Sequence, residues 1–478
     1  MRISDTLTRQ VIDFTPRTAG AVQMFVCGPT VYDDSHLGHA RTYVAFDMVA
    51  RYLRHRGFTV RYVQNITDID DKIINRANEL GVAAKALADK FTSEYFDDMR
   101  ALNILSVDKY APATDYMEAI IRQIQTLLDK GFAYVAPDGS VYYEVRKFAE
   151  YGKLSGRTND EDNQSRVEHD EAKRDPRDFA LWKAHKPGEP AWDSPWGKGR
   201  PGWHIEDTAI TETEFGTQYD LHGGGKDLEF PHHECEIAQM EAASGQAPLV
   251  RHWLHSGFLQ IDSSKMSKSL GNFLTIKAAL KVTSANVLRL MFLRTYYRSP
   301  IDYTEELVQE TKSSWERIQL AIRNADRVLA ATPCPENAAV DHPLVLATDA
   351  ARARFAEAMD NDFGTPDALA VVFELVSELN RQLASVEREP QPGDISAVCV
   401  ARDGVEGLLE VLGFAEIRGR AVQSSELAGQ LVDLLIELRQ QARGAKRYQD
   451  ADAIRQRLAD LNVVLEDNKS GTSWRLRE

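Results

Sequence analysis

Cys27 to Asp47 reads CGPTVYDDSHLGHARTYVAFD, and this stretch decides the fold. An apolar run, Val22-Gln23-Met24-Phe25-Val26, leads into it with the character of a buried strand. Behind it, Tyr43, Phe46, Ala50 and Leu53 recur at helical spacing, and Arg54-His55-Arg56-Gly57 is a helix stop. Thr59 to Asn65 then reads as a second strand. Strand, loop, helix and strand make a βαβ unit, so an α/β fold with a Rossmann-type parallel sheet is expected. His36-Leu37-Gly38-His39 falls where the helix begins. A helix N-terminus offers free N–H groups and the positive end of a dipole, which suits phosphate. Gly38 removes a side chain where a nucleotide would come close.

Working outward, Asn65-Ile66-Thr67-Asp68-Ile69-Asp70-Asp71-Lys72 lies at the carboxyl end of the second strand, the edge where open α/β sheets bind ligands. Asp68 or Asp70 can also cap the helix that follows. Lys72 to about Leu105 is helical in pattern. From about 108 to 200 the character changes to one helix, short strand-like pieces and a charged loop, which reads as an insertion between two halves of one sheet domain. The second half carries Gly202-Trp203-His204-Ile205-Glu206-Asp207. It then runs through Asp220-Leu221-His222, read as a strand end before three glycines, and Phe230-Pro231-His232-His233-Glu234-Cys235-Glu236. Pro231 reads as a first helical residue, which puts His232 and Glu236 four apart on one helix face. From Thr283 onward the pattern is helical almost to the end. The expected domains are a catalytic sheet domain (1–107 and 201–295), the insertion (108–200), a helical bundle (296–420) and a small C-terminal domain (421–478).

Bulk properties bound the function classes. At 478 residues with 43% hydrophobic content, several packed cores are possible and a disordered chain is excluded. The opening MRISDTLTRQ has no apolar h-region, and no run approaches the ~20 apolar residues of a membrane span, so a soluble cytoplasmic protein without a membrane partner is expected. Four scattered cysteines, Cys27, Cys235, Cys334 and Cys399, argue against a disulfide framework. A net charge of −15 does not suggest bulk nucleic-acid binding and does not exclude it, because a local basic face can work inside an acidic protein.

Lys265-Met266-Ser267-Lys268-Ser269 is the strongest single signal, with a chance occurrence on the order of 10⁻⁴. Two lysines on a polar loop can neutralise the β- and γ-phosphates as they depart, opposite the histidines at the helix start. Together the two motifs resemble the double signature of class I aminoacyl-tRNA synthetases. CGPTVYD, NITDIDDKII, SPWGKGRPGWHIE, DLHGGGKDLEFPHHE and the ending GTSWR narrow the resemblance to the cysteine–tRNA ligases, over essentially the whole chain. The resemblance implies ATP-dependent attachment of cysteine to tRNA(Cys) through cysteinyl-adenylate, with Mg²⁺ accompanying ATP. It implies that His36, His39, Lys265 and Lys268 act in catalysis. Thr30, His36, Gly38, His39 and Lys268 would bind ATP, and Gly28, Thr67 and Trp203 the cysteine. It also implies that the C-terminal domain, with Arg443, Lys446 and Arg447, reads the anticodon. A monomer is expected.

Cysteine, histidine and glutamate are zinc ligands, and Cys27, His232 and Glu236 converge on the carboxyl edge if the topology holds. They match three of the family's four ligands to Zn²⁺, which binds the substrate thiolate and so rejects serine without an editing domain. At the fourth position the family has cysteine and this chain has Asp207. Either Asp207 supplies an oxygen, or Cys235 supplies sulfur, or the site is three-coordinate or vacant. An ionised aspartate replaces a thiolate one for one, and zinc–oxygen bonds of about 2.0–2.2 Å are close to the zinc–sulfur length of about 2.3 Å. One zinc on Cys27, Asp207, His232 and Glu236 is therefore the expectation. Two rival readings stay open: a paralogous ligase passing activated cysteine to a small amine, and an inert tRNA-binding relative.

Overall fold

In the computed structural model, residues 1–157, 172–261, 264–265, 274–331, 341–386, 391–418, 425–468 and 471–476 are described. Strand β3 (Ala21–Val26), helix α1 (Leu37–His55) and strand β4 (Thr59–Ile66) form the expected parallel βαβ unit, with Met24 opposite Tyr62 and Val26 opposite Gln64. A short hairpin, β1 (Arg2–Asp5) with β2 (Gln10–Asp13), precedes it. Beyond β4 the expected helical stretch is two helices, α2 (Asp71–Leu80) and α3 (Ala84–Ala101). Gly81 ends α2 in the left-handed region at φ 66°, which glycine adopts without steric cost.

The central sheet has five parallel strands. β5 (Lys109–Pro112) is its edge beside β4, although four residues are too few to show an alternation and the sequence reading puts them in the insertion. The other side is built by β10 (Tyr219–Gly225) beside β3 and β11 (Val250–Ser256) beyond it. The chain thus departs from β3 in both directions, and the crevice between β3 and β10 is the topological switch point where such sheets bind ligands. The strand does not stop at His222. It runs on through all three glycines, because α1 lies directly on it: a Cβ at Gly223 would stand 2.3 Å from the Phe46 ring. The chain turns helical at Pro231, through a wider turn that ends at His233. Phe230 is extended, and the regular helix is Glu234–Ser244.

The insertion holds helix α4 (Met117–Asp129) and an antiparallel sheet of β6 (Ala133–Val135), β7 (Val141–Tyr143), β8 (Phe179–Ala184) and β9 (Gly199–Pro201). Its buried Leu181 and Trp182 share one apolar core with Phe25, Val63, Ile210 and Ile237 of the catalytic half. Ion pairs from Lys183 and Arg200 to Asp71 join the two at the start of α2. After β11 come β12 (Leu259–Ile261), β13 (Ser264–Lys265) and β14 (Ile301–Tyr303) in a small mixed sheet. Long helices at Glu305–Ala331, Pro343–Asp360, Thr365–Val386 and Pro392–Val411 follow. Asp47, the last residue of the quoted stretch, ties the helix Ala285–Leu293 to α1. It is fully buried and accepts hydrogen bonds from Arg51, Arg289, Ser106 and the Leu105 N–H. Removing one partner of such a buried pair costs about 3–5 kcal/mol. Cys27 and Cys235 are free thiols, whereas Cys399 is disulfide-bonded.

Residues Met1–Ala415 form one compact unit and Glu416–Glu478 a second. The second has helices Ser425–Gly444 and Tyr448–Asp460 and the hairpin β15 (Val463–Asn468) with β16 (Gly471–Leu476). Val432, Ile436, Leu458 and Val463 make its core, and the Trp474 indole N–H donates to Asp433 at 3.0 Å. Among the described residues no helix is long and apolar enough to cross a membrane.

Candidate active site

The switch point places Cys27 immediately after β3, with its amide N–H donating to the Gly223 carbonyl of β10 at 3.0 Å. Its thiol donates to Asp207 Oδ2 at 3.3 Å and lies 4.0 Å from Glu236 Oε1. Asp207 sits in the first turn of the helix Ile205–Phe215, whose register aims it inward, and Oδ2 is 2.9 Å from His232 Nε2. His232 Nε2 is also 3.1 Å from Glu236 Oε1, as the spacing of four predicts. Cys27, Asp207, His232 and Glu236 are all buried, and one ligand atom from each lies within 4.8 Å of the others. Tetrahedral bonds of about 2.0–2.3 Å put neighbouring donors ~3.3–3.8 Å apart, so the group can close on a zinc-sized ion with small shifts. Asp207 Oδ1 and Glu236 Oε2 are buried with no hydrogen-bond partner, which is costly unless a cation takes them. The donor set therefore suits a metal ion. Cys235 belongs elsewhere: its sulfur is 3.4 Å from the Tyr151 hydroxyl and outside the cluster.

Two histidines that sequence reasoning did not single out complete the surroundings. His222 Nε2 lies 3.3 Å and His233 Nε2 3.1 Å from the Cys27 sulfur, and with Glu236 these residues form a second group of possible ligands. Each ring is held from behind. His222 Nδ1 meets the Tyr219 hydroxyl at 2.6 Å, and His233 Nδ1 meets His255 Nε2 at 2.8 Å. The signal was the second histidine of the His232-His233 pair and a histidine beside Leu221 just before the three glycines. Burial lowers the affinity of His204, His222 and His233 for a proton, so these imidazoles stay neutral, the form that ligates metals. Burial, then the charges of Asp207 and Glu236, pushes the Cys27 thiol well up. Burial and the Asp207 charge do the same to the Glu236 carboxyl.

On the other side of Asp207 lies a polar pocket. The Thr67 hydroxyl donates to Glu206 Oε2 at 3.1 Å, and Thr67 is bridged to Thr30. Gly28 sits so close to this strand that a Cβ would stand 1.7 Å from the Asn65 carbonyl oxygen. Glu206, also missed from sequence, is 1% exposed with Oε1 unpartnered. Burial first, then Asp207, Asp70 and Asp68, raises its carboxyl. Trp203 stacks on His232 with ring centroids 4.2 Å apart. Trp203, Thr30, Lys72, Lys183 and Arg200 border a cavity of about 860 Å³ between the insertion and the sheet edge.

The histidine motif starts α1. His36 is the N-cap, its ring accepts from the His39 N–H at 3.3 Å, and its own N–H donates to the His39 ring at 3.4 Å. The rings stack at 3.7 Å. Gly38 is the second residue of the helix, and no acidic side chain in the first turn offsets its positive end. The backbone after the lysine motif is fastened to this point: the Leu37 N–H donates to the Leu274 carbonyl and the Ile276 N–H to Ser35, both at 3.0 Å. Lys265 is paired through β13 with Gln260. Lys268 lies outside the described residues.

Comparison with known proteins agrees with this geometry. The family described as tRNA synthetases class I (C) catalytic domain matches residues 13–313, the DALR domain 354–416, and the cysteinyl-tRNA ligase anticodon binding domain 429–475. The chain is 47% identical over 479 residues to a cysteine–tRNA ligase of Thermococcus gammatolerans, with 99% of each chain covered. It is 45% identical over 483 residues to one of Pseudomonas aeruginosa, with both chains covered fully. In fold it is similar to the Mycobacterium tuberculosis methionyl-tRNA synthetase in complex with methionyl-adenylate. That likeness has a TM-score of 0.62 at 18% identity and covers 87% of this chain and 94% of the other.

Proposed function

The chain belongs to the cysteine–tRNA ligases and attaches cysteine to tRNA, and we propose how its own residues do so. Cys27, Asp207, His232 and Glu236 hold zinc, in a set whose orphaned carboxylate oxygens are the observation that carries the assignment. Zinc there would supply a soft Lewis acid that takes the thiolate of cysteine and leaves the hydroxyl of serine in water. Trp203, stacked on His232, closes the side of the amino-acid pocket. Thr67, held by Glu206, and Gly28, pressed on Asn65, set the wall against which the α-carboxylate is oriented.

The carboxylate oxygen then attacks the α-phosphorus of ATP in line, and pyrophosphate leaves. This step is positioning plus charge stabilisation and needs no protein nucleophile. His36 and His39, with the first-turn N–H groups of α1, receive the phosphates, and Thr30 and Gly38 border that site. Lys265 and Lys268, on a segment fastened to α1 at Leu274, neutralise the departing charge from the opposite side. In the second step the terminal ribose hydroxyl of tRNA attacks the adenylate carbonyl and AMP leaves. The cavity bordered by Lys72, Lys183, Arg200 and Trp203 receives the single-stranded end, combining cations with an aromatic face. The match of residues 429–475 to an anticodon binding domain favours tRNA over a small amine as acceptor.

The test is exchange of labelled pyrophosphate into ATP, with cysteine or serine, beside charging of tRNA(Cys). Exchange with cysteine but not serine, together with charging, is expected. Exchange without charging would restore the small-amine ligase, and no exchange would restore the inert relative.

A further inference from the structure

His36 is held from outside its own helix. The Leu37 N–H donates to the Leu274 carbonyl, the Ile276 N–H donates to Ser35, and His36 stands bridged to Thr275. The segment met in this way continues as a short helix, Ile276–Val282. The Thr275 hydroxyl caps it, accepting from the Ala278 N–H at 3.1 Å. Lys277 is the second residue of that helix. Its ammonium donates to Asp34 Oδ1 at 2.8 Å, two residues before His36, and also to Glu94 of α3. One side chain thus ties together the loop that presents His36, the segment that follows the lysine motif, and α3.

The charges at this point are unevenly matched. Asp34 and Glu94 share the one ammonium, and Asp98, one turn along α3, adds a third carboxyl within its electrostatic reach. Lys90 is farther off, 3.8 Å from Glu94. The bond from Lys277 holds the Asp34 carboxyl below the usual carboxylate range, so Asp34 stays ionised. Without the ammonium, Asp34 and Glu94 would face each other as like charges, and the loop before His36 would be pushed away from α3. The pairs are partly exposed, at 41% for Lys277 and 37% and 27% for its partners, so they add little to global stability. Their effect is on position, where a displacement of about 1 Å can cost up to ~100-fold in rate.

We infer that Lys277 is a positioning residue for the nucleotide half of the site: it clamps Asp34 to Glu94 and so fixes the His36 ring and the first turn of α1 in the arrangement that meets ATP. The inference rests on the reading of His36 as a phosphate-binding residue.

Pyrophosphate exchange by the full chain, measured against ATP and against cysteine, tests it. Lys277→Met is expected to lower kcat/KM for ATP roughly tenfold and to leave KM for cysteine within about twofold of the parent. Its melting temperature should stay close to that of the parent. Lys277→Arg can reach the same two carboxylates and is expected to keep most of the parental value. Glu94→Gln added to Lys277→Met removes one of the opposed charges and is expected to recover roughly threefold. An unchanged kcat/KM for ATP in Lys277→Met overturns the inference, as does an equal fall for both substrates or a loss that Glu94→Gln does not relieve. Should Lys277→Met fail to fold by circular dichroism, Asp34→Ala carries the same test: a fall for ATP alone supports the clamp, and any other result overturns it. His36→Ala separates the inference from the reading beneath it. If His36→Ala leaves kcat/KM for ATP unchanged, the nucleotide site itself is misassigned. If it falls while Lys277→Met does not, the clamp alone is removed.

Discussion

Asp207 Oδ2 stands 2.9 Å from His232 Nε2, and the cysteine three residues beyond that histidine turns away from both toward Tyr151. Glu236, four residues on from His232, meets it at 3.1 Å, while the Cys235 sulfur lies 3.4 Å from the Tyr151 hydroxyl.

Cys235→Ala should therefore keep its zinc and activate cysteine within about twofold of the parent, since the change trims a buried thiol outside the ligand group. Cys27→Ala should lose both. Metal analysis beside pyrophosphate exchange reads the pair. Loss of zinc from Cys235→Ala would return that thiol to the site.

Thr67→Val removes the hydroxyl that donates to Glu206 and leaves a buried carboxyl with one partner fewer. The penalty for such an orphan is about 1–3 kcal/mol. Because the pair lies at the proposed amino-acid pocket, KM for cysteine should rise roughly tenfold or more, with KM for ATP unchanged. Steady-state exchange kinetics separates the two, and an equal rise in both would remove the pair from the pocket.

Lys268→Ala should slow adenylate formation by roughly two to three orders of magnitude, the usual scale for one transition-state donor, while cysteine affinity stays put. Single-turnover measurement with labelled ATP checks it. A loss confined to cysteine binding would reassign the lysine.

A chain ending at Arg418 lacks nearly all of the second compact unit. Pyrophosphate exchange should persist near the parental rate while charging of tRNA(Cys) falls sharply. Unchanged charging would dissociate residues 429–475 from anticodon recognition.

Asp98, on α3, is 4% exposed with Oδ2 unpartnered, and burial raises its carboxyl to about 6, with Lys277 opposing. The unfolded carboxyl titrates lower, so the native state holds the proton longer and stability is lost as pH rises from about 4 through 6. Asp98→Asn should therefore stabilise the protein at pH 7.5, by an amount of order 1 kcal/mol, and leave it unchanged near pH 4. Thermal melts at the two pH values decide. A gain of equal size at both would show that ionisation is not the cause.

The βαβ unit was legible because an apolar run, helical spacing, histidines at the helix start and the stop at Arg54-His55-Arg56-Gly57 all agree between Ala21 and Ile66. The four residues joined as metal ligands from sequence and resemblance come together in space because three separate elements end at one sheet edge. Other features were hidden for physical reasons. The strand through Gly223–Gly225 has no side-chain alternation to read, and it persists only because α1 needs a flat surface beneath Phe46. His222, His233 and Glu206 act through burial, which depends on what packs above them and leaves no periodic mark in the chain. β5 was too short to declare its sheet.

The switch point draws its ligands from far along the polypeptide: 209 residues separate Cys27 from Glu236. At about 5–20 residues per second, a ribosome needs roughly 10–40 s to travel between them. During that interval the nascent chain presents the Cys27 thiol with no possible partner from the helices that later enclose it. The insertion, which shares one apolar core with the catalytic half, is made in that same interval. With zinc held as proposed, metal loading is a late event in biogenesis, and starvation for zinc would be felt as a fault in finishing the fold before it was felt as a fault in choosing an amino acid.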